Sequence, residues 1–177
     1  MYNLDKFEVN GAINMIRIID TLPQIESLFD NETFNKEKWE IYINSIYDKS
    51  ADIFKSDLKK YLESGNYIYE KDILPIINAV HGHAILQTLQ TSFYKVTNGL
   101  NERIRSCFKH ELDVDIVLYL GLCNAAGWVT NINGQDVILL GIEKILELKW
   151  YDEDSMYGLI YHELGHVYHK QYGVFNQ

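Results

Sequence analysis

The sequence predicts an α+β fold: a helical N-terminal layer, a small and mostly antiparallel sheet, and a last helix that carries the polar chemistry. Three observations carry this expectation. From about Asn35 to His110, apolar residues recur at three- and four-residue steps, the period of amphipathic helices. After His110 the texture changes to β-branched apolar runs around Asn133-Gly134, a strong hairpin signal because both residues tolerate positive φ. Beyond them, acidic capping residues open a helical stretch that ends at a glycine.

Taken in order, Ile13 to Asp20 reads as a strand, and Thr21-Leu22-Pro23 as the start of a helix with proline in its first turn. Trp39, Tyr42, Ile43, Ile46 and Tyr47 mark one helix, and Ile53, Phe54, Leu58, Tyr61 and Leu62 a second, which Ser64-Gly65-Asn66 closes. A third helical run begins near Glu70. A long fourth covers roughly 81–108, with Ile85, Leu89, Phe93, Val96, Leu100 and Ile104 on one stripe. Val114 to Leu122, Trp128 to Ile132 and Gln135 to Leu140 are expected to form a three-stranded sheet. Ile142 to Leu148 reads as a short helix. Tyr151 to Ser155 then caps a final helix running to about Tyr172, with Gly173 as its stop.

The 177 residues, 47% hydrophobic and 13% aromatic, give ample material for a packed core, and no repeat or linker divides them. One domain over 1–177 is expected, with a helical part at about 21–110 and the sheet and last helix at about 111–177. Against 16 Lys and Arg stand 25 Asp and Glu, a net charge of −9, which disfavours nucleic acid and anionic lipid as partners. The N-terminal residues lack the pattern of a secretory leader, and no apolar run approaches a membrane span. A cytoplasmic protein with reduced Cys107 and Cys123 is the expectation, and Cys123 reads as a small buried hydrophobe.

The last helix contains His162-Glu163-Leu164-Gly165-His166. At 100° per residue the two histidines lie about 40° apart and one turn from each other, so both imidazoles reach one metal ion. Glu163, about 60° from His166, sits beside that ion without ligating it and is placed to take a proton from a water. Zinc lowers the pKa of a coordinated water from about 15.7 to about 7. The flanking residues Ile160, Tyr161, Leu164, Val167 and Tyr168 are uncharged, which suits a buried helix. Three polar side chains buried there need a shared partner, which a metal supplies. Gly165 is expected to face a close neighbour.

His169 lies about 10.5 Å further along the axis than His162, too far to share the ion. The residue ten beyond His162 is Tyr172, so the longer three-histidine version of the motif is excluded. His81 and His83, read as helical, would point about 160° apart and cannot share a metal. Gly121, Gly127, Gly134 and Gly141 lack the Lys-Ser/Thr of a phosphate loop and read as turn residues. No rule of sequence selects an oxyanion-stabilising residue among the thirteen tyrosines.

Three segments, Tyr119 to Trp128, Val137 to Lys144, and Leu159-Ile-Tyr-His-Glu-Leu-Gly-His-Val-Tyr-His169, resemble the bacterial predicted zinc-dependent protease family, a zincin-like group. Ile18-Ile-Asp-Thr21 resembles its opening strand. The likeness is specific over residues 115–170. It implies a metallopeptidase with a Zn²⁺ cofactor and a peptide or protein substrate, in which His162 and His166 match the metal ligands and Glu163 the catalytic base. Zincins of this type take a third ligand, commonly Glu, from a helix well downstream, whereas Gln177 lies eleven residues beyond His166. The chain is therefore expected to be the N-terminal piece of a longer protein. Within the 177 residues Asp136 and Glu143 are the candidates for a third ligand, and the Gln135 to Leu140 region is expected to supply a substrate-binding edge strand. The competing reading is a non-catalytic binding domain that retains the His-Glu helix.

Overall fold

The computed structural model describes residues 15–173. Ile13 and Asn14 of the expected first strand, and the N-terminal residues read against a secretory leader, lie outside them. The fold is α+β. Its main sheet has four strands in the order β1 (Ile16–Asp20), β4 (Val114–Tyr119), β6 (Gln135–Gly141), β5 (Gly127–Ile132). A two-residue ribbon, β2 (Phe29–Asp30) with β3 (Thr33–Phe34), lies apart from it.

The sheet is mixed, whereas mostly antiparallel pairing was expected. β5 and β6 form the antiparallel hairpin, and Asn133 and Gly134 turn it with φ of 52° and 88°. β1 and β6 flank β4 in parallel, with Ile18 opposite Ile116 and Ile116 opposite Ile138. β1 is thus the fourth strand that the local pattern did not join to the other three. Every residue of β4 is buried, as a central strand covered on both faces requires. Asp115 within it is answered by Arg17 Nε at 2.5 Å and by the Tyr47 hydroxyl at 2.5 Å.

After β1 the chain makes a 3₁₀ turn (Leu22–Leu28), and the buried Thr21 hydroxyl donates to Leu118 O at 2.8 Å. Helix α1 (Lys36–Ile46) starts at Asn35, whose side chain accepts from the Glu37 and Lys38 N–H groups. It buries Trp39, whose indole donates to Leu120 O at 2.8 Å. Helix α2 (Ala51–Glu63) buries Phe54 and Leu58. A π turn at Tyr69–Ile73 then leads into the short α3 (Leu74–Asn78).

The expected long fourth helix is two helices, α4 (Leu86–Thr97) and α5 (Leu100–Phe108). Gly99 breaks it at φ 67°, a left-handed conformation that glycine adopts without steric cost. His81 and His83 precede α4 in turns. His81 lies 3.3 Å from Glu26, while His83 Nδ1 accepts from the Ile85 N–H. Helix α6 (Ile142–Leu148) follows β6 directly, and α7 (Glu153–Tyr172) packs on α4, β5 and β6. Among the described residues no helix is long and apolar enough to cross a membrane.

Candidate metal centre

Helix α7 starts where the sequence signals it. The Asp152 carboxylate accepts from the Ser155 N–H at 2.9 Å, and Glu153 and Asp154 add negative charge at the positive end of the helix dipole. Met156, Leu159, Ile160, Leu164 and Val167 form its buried stripe. Glu163 falls within that stripe, and His162 and His166 fall on its rim. The burial differs accordingly: Glu163 is buried at 5% exposure, and both histidines are exposed. The expected burial of all three polar side chains is thus corrected to one.

The two histidine rings approach each other closely enough for one ion to reach both. Their Nε2 atoms are 3.1 Å apart, with ring centroids separated by 4.7 Å and ring planes at 89°. Two nitrogens each about 2.05 Å from a tetrahedral zinc stand about 3.3 Å apart. Two imidazole nitrogens this close share either a proton or a cation, and the donor set suits zinc. Among the described residues no third His, Cys, Asp or Glu joins them, and His169 stands exposed a turn beyond.

Both proposed third ligands are engaged elsewhere. Asp136 accepts from Asn131 and Gln171 and pairs with Lys170, contacts that hold its pKa below the usual carboxylate value against the opposing effect of burial. Glu143 is buried at the start of α6, where its carboxylate accepts from the Gly121 and Cys123 N–H groups at 2.8 and 3.0 Å. Burial pushes its pKa up to about 7.

The Glu163 carboxyl lies against β5. A Cβ on Gly127 would stand 2.9 Å from Glu163 Oε1 and 2.8 Å from Leu159 Cδ1, so the missing side chain of Gly127 makes the room. Gly165, expected to have a close neighbour, faces open space: a Cβ there would meet nothing within 4 Å. Burial raises the Glu163 pKa above its ordinary value, and the two imidazoles pull it back. A carboxylate with a raised pKa beside a potential metal site is suited to proton transfer.

The edge strand next to α7 is β5, and β6 is internal, which corrects the expected assignment of the edge to Gln135 to Leu140. The sequence reading did not single out Gly127, which lies against Glu163, or Trp150, which lines a cleft with His162. Gly127 carries a signal, a glycine at a strand start, which marks close approach as well as a turn. Trp150, an exposed aromatic in the link before the motif helix, was the second. Cys107 and Cys123 are free thiols, and burial raises the pKa of Cys123. Compared with known proteins, the chain matches no family model, no curated protein and no solved structure.

Proposed function

We propose that this protein is a zinc-dependent metallopeptidase in which His162 and His166 hold the ion and Glu163 is the general base. The observation that carries the reading is the 3.1 Å approach of the two Nε2 atoms, with a buried carboxylate on the adjoining residue. When bound, zinc supplies Lewis acidity toward a peptide carbonyl and a water. Glu163 takes the proton from the attacking water at its carboxylate and returns it to the departing amine. The walls provided by Gly127 and Leu159 hold this carboxylate against β5, away from bulk water. The free edge of β5 offers alternating N–H and C=O groups to an extended peptide. The resemblance to the bacterial predicted zinc-dependent protease family agrees with this reading, and the setting we propose for it is the cytoplasm, where both cysteines stay reduced.

The alternative is a non-catalytic domain that binds metal or a partner through the same helix. It is favoured by the exposed histidines and by the two-ligand set, because a catalytic zinc normally has three protein ligands and a water. With two ligands, zinc binding by this chain is expected to be weak and easily removed by a chelator. The discriminating experiment incubates zinc-supplemented wild type, Glu163→Gln and His162→Ala with a mixed peptide library read by mass spectrometry. The peptidase reading expects cleavage by wild type alone, with zinc affinity unchanged in Glu163→Gln and lost in His162→Ala. Absence of cleavage by wild type at saturating zinc, with zinc bound, overturns it in favour of the alternative.

A further inference from the structure

A cleft of about 420 Å³ opens at the N-terminal side of the histidine pair, lined by Trp150, Ser155, Gly158, Leu159 and His162. That volume lies within the roughly 300–1,000 Å³ typical of ligand pockets. Because His162 is one of its walls, whatever occupies the cleft lies beside the candidate metal ligand.

The walls have a definite chemistry. Trp150, in the link between α6 and α7, is 42% exposed and presents its indole to the cleft, and Leu159 adds aliphatic surface. The Ser155 hydroxyl is already donated to Asp152 at 2.7 Å, so it offers little to a ligand. Among the described residues no carboxylate lines the cleft, so a Lys or Arg side chain would lose hydration there without gaining a counter-charge. Gly158 is exposed and brings no side chain into the cleft: a Cβ there would meet nothing within 4 Å. Glycine is a poor helix former relative to alanine, and here it keeps the space clear.

We infer that this cleft is the specificity pocket for a bulky apolar or aromatic substrate side chain next to the scissile bond. Trp150 stacks on that side chain, and the absent side chain of Gly158 leaves room beside it. The inference rests on the peptidase reading for its catalytic consequence, but side-chain binding in the cleft does not depend on metal or turnover.

The test has two arms on the full chain. In the first, the indole N–H resonance of Trp150, assigned by its loss in Trp150→Phe, is followed while N-acetyl-phenylalaninamide or N-acetyl-glycinamide is added without metal. The phenylalanine probe is expected to move it and the glycine probe to leave it in place, with Gly158→Leu abolishing the shift. In the second, zinc-supplemented protein cleaves matched peptides carrying Phe or Ala beside the scissile bond. Gly158→Leu is expected to lower kcat/KM at least about tenfold for Phe, mainly through KM, and less than about twofold for Ala, as steric mismatch in a hydrophobic pocket gives. A selective resonance shift without cleavage in any form would retain the pocket and remove the peptidase reading. No selective shift, or equal losses for both peptides, overturns the pocket.

Discussion

Glu143 links pH to stability in a way that can be calculated. Its carboxylate is 1% exposed, and a Cβ on Gly121 would stand 2.5 Å from its Oε1, so glycine keeps the space it fills. Burial raises its pKa from 4.5 to about 7, against hydrogen bonds from Gly121 and Cys123 that favour the charged form. Between those values the folded state holds a proton that the unfolded state has released. Stability therefore falls as pH rises from 4.5 through about 7 and levels off above it. At about 1.36 kcal/mol per pKa unit, a rise of some 2.5 units corresponds to about 3 kcal/mol. Glu143→Gln removes the titration but sets its amide NH₂ against one of two backbone N–H donors, at a cost of about 1–3 kcal/mol. Urea unfolding of both forms from pH 4.5 to 8 isolates the effect, because other titrating groups cancel in the difference. Wild-type stability minus that of Glu143→Gln should fall by about 3 kcal/mol across the window. A flat difference, or one that rises with pH, refutes the reasoning.

Gly127→Ala puts a methyl group against Leu159 Cδ1 and against the Oε1 and Cγ atoms of the buried Glu163, so stability should drop by about 1–3 kcal/mol. If Glu163 is the base, peptide cleavage should fall at least about tenfold, because displacement of a reacting group by about 1 Å is costly. Parallel denaturation and kinetics check this, and unchanged kinetics would contradict the placement of Glu163. Gly165→Ala should stabilise the chain by about 1 kcal/mol, since that helical glycine faces open space. A lower denaturation midpoint would show a close neighbour there.

Local chemistry made several elements legible. Asn133-Gly134 turns the hairpin because its two positive φ angles are what those residues tolerate, and Asp152 and Gly173 bound α7 as an acidic cap and a glycine stop. The paired approach of His162 and His166 also follows from helix geometry alone, since four residues make about one turn. What depended on distant contacts was not legible. β1 joins β4 across the whole helical layer, and no local pattern encodes that parallel pairing. The break at Gly99 was hidden because Val96, Leu100 and Ile104 stay buried on both sides of it, so the apolar stripe runs through the change of direction. The histidines' exposure was missed because motif spacing relates them to each other but not to the sheet. Gly127 and Glu143 act through neighbours far along the chain, Glu163 for one and the Gly121 and Cys123 amides for the other.

The proposed function requires that His162 and His166 together hold one metal ion through Nε2. Nitrogen-15 NMR of the histidine side chains during zinc addition tests it directly. The Nε2 resonances of His162 and His166 are expected to move together, with the same midpoint in wild type and Glu163→Gln, and His162→Ala is expected to abolish the response of His166. Independent responses of the two rings, or zinc binding that survives replacement of both by alanine, would contradict it.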